Sequence, residues 1–176
     1  LNIKLNYKIN DNNSVYLSGY FGKDLFAIST NFIADYGNSV ANFRWNHLFT
    51  DQLFSNLSII YSDYYYGLEF DLVGFKWDSG ISNFNIKYDF KHYLSSQLKL
   101  NYGLNNIYYK FNPGEINPSR KNSGIERGKL INKFANEFSA YIDIEQNLTD
   151  RVSLQYGIRW SNFTRLGQDQ LNRYEG

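Results

Sequence analysis

One unit recurs four times along this chain: an alternating apolar and polar run, a tight polar turn, and a second alternating run. The turns fall at Asn10-Asp11-Asn12-Asn13, Thr50-Asp51-Gln52, His92-Tyr93-Leu94-Ser95-Ser96 and Asn147-Leu148-Thr149-Asp150. The runs after them are alike: Val15-Leu17-Gly19-Phe21, Leu57-Ile59-Tyr61, Leu98-Leu100-Tyr102-Leu104 and Val152-Leu154-Tyr156-Ile158-Trp160. A period of two puts every second side chain on one face of a strand. Strands that alternate over about nine or ten residues, joined by turns of alternating length, make the wall of a transmembrane β-barrel.

Composition supports that class. Aromatic residues make up 19% of the 176, with 16 Tyr and 14 Phe. Yet no stretch approaches the ~18 consecutive apolar residues of a membrane helix. In a barrel the two faces alternate, so aromatics abound without a hydrophobic run. Two Pro and 13 Gly suit strands better than disorder. A net charge of +1 gives no reason to expect nucleic acid. There is no cysteine, so neither a disulfide framework nor a thiolate metal site is expected. The alternation already runs from Leu1, with no signal peptide ahead of it.

The expected fold is all-β: an antiparallel transmembrane β-barrel wall of about eight strands, in hairpins at about 1–23, 39–66, 80–111 and 132–162, with no plug domain. The face expected toward lipid carries Leu100, Tyr102, Phe138, Ile142, Leu154, Tyr156, Ile158 and Trp160. The face expected toward the lumen carries Glu137, Ser139, Asp143, Gln155 and Arg159. Links near 24–38, 67–79 and 112–131 are expected to be longer loops. In the bacterial outer membrane the long loops are extracellular and the short turns periplasmic. The eighth strand then ends outside, near Gly167 to Gly176, with Tyr174-Glu175-Gly176 in a loop. That polarity suggests a middle section of a larger barrel, in which the strand from Leu1 does not pair with the strand ending near Asn162.

A soluble β-barrel would turn the same apolar face inward. Three features favour lipid. The strands exceed the usual ~5–6 residues. Aromatics crowd the strand ends, with Tyr7, Trp45, Tyr88 and Phe90 near short turns and Tyr61, Tyr64, Tyr65, Tyr66, Tyr108 and Tyr109 toward the long links. Such girdles sit at both membrane interfaces. The polar face is rich in Asn, Ser and Lys, as a wet lumen requires.

Three stretches resemble the barrel of TonB-dependent outer-membrane receptors, especially those of the Bacteroidetes. They are Leu5-Asn6-Tyr7-Lys8-Ile9 with Ser18-Gly19-Tyr20-Phe21-Gly22-Lys23-Asp24, Leu98-Lys99-Leu100-Asn101-Tyr102-Gly103 with Asn117-Pro118, and Ala140-Tyr141-Ile142-Asp143 with Leu154 to Phe163. The resemblance implies a barrel of roughly 22 strands, plugged by an N-terminal domain absent here. It implies uptake of a scarce nutrient by ligand binding and gated translocation, driven by a TonB-type energy complex acting through that plug. The partners implied are the bilayer, the rest of the receptor and a surface lipoprotein. Alternatives are a complete eight-strand outer-membrane barrel with a structural or adhesive role, a soluble ligand-binding β-barrel, and an incomplete barrel held by outer-membrane assembly machinery.

Nothing in the chain argues for bond chemistry or a cofactor. His47 and His92 lie beside short turns, and a lone histidine is ordinarily structural. Glu137, Asp143 and Glu145 alternate along one strand, as lumen charges do. The basic tract Arg120, Lys121, Arg127 and Lys129 could meet an anionic ligand or lipopolysaccharide, but reads first as solvated loop charge. Sequons at Asn12, Asn56, Asn147 and Asn162 are expected by chance in so Asn-rich a chain. A fourth turn centred on Leu148 would set Glu137 opposite Arg159.

Overall fold

The structure, a computed structural model, describes residues 1–28, 31–120 and 122–167. Lys121 of the basic tract and the tail 168–176, with Tyr174, Glu175 and Gly176, lie outside the described residues. The strands are β1 (Asn2–Asn10), β2 (Asn13–Ile28), β3 (Phe32–Thr50), β4 (Leu53–Phe70), β5 (Phe75–Tyr93), β6 (Leu98–Pro118), β7 (Gly128–Lys129), β8 (Lys133–Thr149) and β9 (Val152–Leu166). They form one antiparallel sheet in the order β1-β2-β3-β4-β5-β6-β8-β9, with β7 pairing the far end of β6. Among the described residues β1 pairs with β2 alone and β9 with β8 alone, so the sheet is open.

One device closes all four short turns. A side-chain oxygen at the turn's start accepts the backbone N–H two residues on. Asn10 Oδ1 takes Asn12 N at 3.0 Å, Thr50 Oγ1 takes Gln52 N at 3.3 Å, Ser95 Oγ takes Gln97 N at 3.1 Å, and Thr149 Oγ1 takes Arg151 N at 3.3 Å. Asn, Ser and Thr make these local bonds because the acceptor is short enough to fold back on its own backbone. In the first, second and fourth hairpins a bulge adjoins the turn.

This device corrects the expected register of the last hairpin. Thr149, and not Leu148, anchors the turn, so the tip is Asp150-Arg151. Arg159 therefore lies opposite Tyr141, and Glu137 lies opposite Phe163. The shift is an even number of residues, so Glu137 and Arg159 still share a face.

The links expected as loops are also largely strand. β2 and β3 stay paired through Ile28↔Phe32, and β4 and β5 through Phe70↔Phe75. The third link does hold a true loop, but β6 continues to Pro118 before it. Pro113 falls where the β5–β6 register shifts, between Gly80↔Asn112 and Asp78↔Glu115, so its missing N–H costs no ladder bond.

The registers carry two faces across the whole sheet. Leu5, Leu17, Phe43, Ile59, Ile86, Leu104, Ala140 and Trp160 illustrate the apolar one, joined by the residues that pair with them. On this face each strand then turns polar at a similar height: Lys23, Asp63, Ser82, Asn106, Asn136 and Asn162 follow Phe21, Tyr61, Phe84, Leu104, Phe138 and Trp160. From Leu53 to Tyr61 the band rises about 27 Å along the strand at ~3.4 Å per residue. Tilted by ~40°, it stands about 21 Å tall, a little short of the ~25 Å apolar band of a membrane barrel. Above it the backbone ladder continues but the alternation ends: polar Lys23, Asp35, Asp63 and Glu69 share these segments with Leu25, Phe26, Ile28, Phe70 and Trp77.

The sheet encloses no apolar core. Ala135 is the one buried apolar residue among those described, at 2% exposure, whereas Ile158 is 73% and Trp160 56% exposed. The burial falls mainly on the polar face, at Ser58, Asn105 and Ser139. Ser55, on the other face, is the exception; its hydroxyl meets the His47 carbonyl at 3.4 Å.

Beyond the band, the third link is clasped to the sheet. Glu115 accepts from Arg127 Nη2 at 2.9 Å and pairs with Lys129 Nζ at 3.0 Å, and Leu130 N bonds Gly114 O. Arg120 reaches the carbonyls of Asp71 and Leu72, and Ser119 N bonds Gly74 O, tying this link to the tip between β4 and β5. Gly74 has φ +67, the left-handed conformation that suits glycine at such a tip. Lys129 first, then Arg127, hold the Glu115 carboxyl down at about 2 from the ordinary 4.5. A depressed carboxylate contributes stability that is complete above its unfolded value and is lost as pH falls through the folded one. The clasp should therefore persist at pH 4 and open near pH 2. A carboxyl-carbon NMR titration should place the Glu115 midpoint near 2; a midpoint near 4.5 would show the clasp unformed in solution.

Candidate functional site

Two surfaces can do work in this molecule: the apolar band and the polar face behind it. The apolar band ends toward the short turns in a cluster of rings. Trp45 and His47 lie 5.4 Å apart, His47 and Phe49 4.3 Å, Tyr88 and Phe90 4.4 Å, and Phe90 stacks on Tyr102 at 5.1 Å. Trp45 Nε1 donates to Asn13 Oδ1 at 3.0 Å, and His47 Nδ1 lies 2.8 Å from the same oxygen. Each ring thus keeps an apolar body on the band and a polar tip on the turn, the arrangement that suits an interface between hydrocarbon and water. His47 is a member of this girdle. Toward the opposite end, Tyr108 stacks on Phe134 at 6.1 Å and Phe138 meets Trp160 edge-on at 6.0 Å.

The polar face carries a connected network from β5 to β9. Lys87 pairs with Asp89 at 2.8 Å, and Tyr141 donates to Asp89 at 2.7 Å. Lys99 pairs with Glu145. Asn101 bridges Glu145 at 2.9 Å and Asp143 at 3.2 Å. Gln155 completes Asp143 at 3.2 Å. Higher up, Arg159 donates to Ser139 Oγ at 2.8 Å and Tyr109 to Glu137 Oε2 at 3.1 Å. Each carboxylate therefore has donors on neighbouring strands. Such a network braces the wall and presents alternating charge.

The placement of the sequence-derived residues is direct. Leu100, Tyr102, Phe138, Ile142, Leu154, Tyr156, Ile158 and Trp160 occupy one face, and Glu137, Ser139, Asp143, Gln155 and Arg159 the other. Arg120, Arg127 and Lys129 lie together above the band, engaged in the clasp. His92 lies opposite Leu53 and Leu100 at the short-turn end, well away from the clasp.

Sequence reasoning missed the Tyr141–Asp89 contact, which spans two strand spacings. It depends on the intervening Gly103, opposite both Asp89 and Tyr141. A Cβ at 103 would meet the Tyr88 carbonyl oxygen at 2.6 Å, Asp89 Oδ1 at 2.8 Å and the Tyr141 ring at 2.9 Å. A glycine inside an otherwise good strand is the signal that could have found it, since it marks close approach.

No family model matches this sequence, and no curated protein matches it. Among solved structures the fold resembles BauA, the ferric preacinetobactin receptor from Acinetobacter baumannii. The likeness covers 94% of this chain at a TM-score of 0.66 and 13% identity. It takes in 35% of the receptor, so the chain spans about a third of the length of the protein it matches. At that identity what is shared is the fold, an antiparallel wall of barrel type.

Replacing Gly103 with Ala should destabilise the sheet by about 1–3 kcal/mol through overpacking. Urea unfolding of the chain in detergent measures it. Unchanged stability would mean that Tyr141 does not lie across position 103.

Proposed function

We propose that this chain is a section of the barrel wall of an outer-membrane nutrient receptor. Its apolar band meets acyl chains and its polar face lines the lumen. The observation that carries this reading is the band itself: apolar across eight strands, and bounded at one height by rings and at the other by polar residues. An exposed apolar surface of that extent marks an interaction with a membrane or protein. A soluble barrel would have to bury the face that is here exposed.

The open sheet favours a section of a larger barrel over a closed eight-strand one, in which β1 and β9 would be paired. Likeness to a receptor barrel supports uptake over a structural or adhesive role. The resemblance of the three stretches supports the finer assignment: a TonB-dependent importer of Bacteroidetes type, acting by binding and gated translocation with its plug supplied by the rest of the receptor. The protein is a transporter and not an enzyme in this reading. The short turns face the periplasm, and the clasped link faces outward where ligand or a surface lipoprotein arrives.

Lipid-quenching of tryptophan tests the membrane assignment. Trp45 and Trp160 lie on the apolar face, whereas Trp77 lies above the band with its ring against Gly114. In vesicles of brominated lipid, single-tryptophan variants should show Trp45 and Trp160 quenched and Trp77 spared. Ile158 sits mid-band, opposite Ile142. Ile158→Arg should cost about 2–4 kcal/mol near the midplane, read from the urea midpoint of the vesicle-inserted protein. Quenching of Trp77 alone, with Ile158→Arg neutral, would overturn the assignment of faces.

A further inference from the structure

The charges on the polar face are unevenly divided. From β5 to β9 every acid has a donor, as described above. Within the band, β1 to β4 present no acid on this face. They present Lys4 and Arg44, and neither has an ion-pair or hydrogen-bond partner among the described residues. Lys8, their neighbour on β1, is taken by Asp11 in the turn at 2.6 Å. Lys87, in the same cross-strand row as Arg44, is taken by Asp89.

Lys4 and Arg44 line one cleft of about 450 Å³, together with Asn6, Tyr16, Ser18 and Asn42. The ladder explains why they converge. Lys4 lies in the row Lys4–Ser18–Asn42, and Arg44 is the next residue of that face on β3. Two strand spacings and a two-residue offset put their Cα atoms about 12 Å apart, a gap that two long side chains can close on a shared ligand. Between them stand the hydroxyls of Tyr16 and Ser18 and the side-chain amides of Asn6 and Asn42. The Asn42 amide nitrogen reaches Ser18 Oγ only at 3.5 Å, so it retains donor capacity. The cleft therefore offers two cations and several neutral donors and no anionic group, with Asn42 Oδ1 a buried neutral acceptor that has no hydrogen-bond partner among the described residues.

The geometry points to an oxyanion site on the inner wall, taking a small ligand with at least two carboxylate or phosphate groups held between Lys4 and Arg44. Guanidinium engages such a group bidentately and ammonium acts as a point charge, so the pair reads charge and spacing together. This inference rests on the proposed lumenal position of the polar face. It adds a ligand class to the transport reading.

Differential lysine acylation tests it on the intact receptor that carries this section, in lipid vesicles, with citrate and inorganic phosphate as probes against sodium chloride of equal ionic strength. At a citrate concentration about four times its Kd, roughly one-fifth of the sites stay free, so acylation of Lys4 should slow about fivefold. Phosphate, with one group, should protect less. Lys8 and Lys91 should be unaffected. Arg44→Gln should abolish most of the protection and Arg44→Lys should retain part of it, with β-sheet circular dichroism unchanged. Equal slowing at Lys4, Lys8 and Lys91, or protection that survives Arg44→Gln, would reduce these residues to solvated wall charges and overturn the site. Trp160 quenching in the same vesicles separates the two readings: quenched but unprotected protein sinks the oxyanion site alone, while unquenched protein sinks the membrane assignment.

Discussion

The backbone ladder is the interaction on which everything else in this molecule depends. With Ala135 as the one buried apolar residue among those described, no packed interior can correct an error of pairing. Each strand is placed by its predecessor, because the sheet follows chain order apart from the short β7. A one-residue slip in any hairpin would turn over that strand's faces relative to its partner. The four side-chain locks at Asn10, Thr50, Ser95 and Thr149 act where such a slip would begin. Their net energies are individually modest, about 0.5–1.5 kcal/mol each, but their effect is on which ladder forms.

Once the faces are fixed, the molecule divides along the strand direction as well as across the sheet. Below the boundary at Lys23, Asp63, Ser82 and Asn162, the apolar face needs a nonaqueous medium. Above it, the same ladder runs on with polar and apolar side chains mixed on both sides, and the clasp of Glu115 with Arg127 and Lys129 stiffens the end. The loops are thus carried well clear of the band on paired strands.

The division explains what could be read from sequence. Within the band, alternation is strong because one face is apolar and the other polar, so the strands and the residues that share each face were legible. Above it, alternation fades because apolar and polar residues mix on both faces, as Leu25, Phe26 and Ile28 do with Lys23 and Asp24, and the paired segments around Asp24↔Tyr36 and Gly67↔Asp78 look like loop. The fourth register was misjudged for a different reason. Asn147-Leu148-Thr149-Asp150 offers two starting points for a turn, and only the Thr149 hydroxyl bond to Arg151 N decides between them. The Tyr141–Asp89 bridge needed the register of three strands at once, which no local pattern supplies.

The edges bring these constraints together. Among the described residues β1 and β9 each have one side of their backbone unpaired, and in hydrocarbon every such group left without a partner costs several kcal/mol. In the proposed membrane setting both edges must therefore be extended by further strands. Any strand added beside β1 must continue its faces, with apolar residues beside Leu5 and Tyr7 and polar ones beside Lys4 and Asn6. The same period-two rule that orders the eight strands described here thus dictates the pattern of their neighbours.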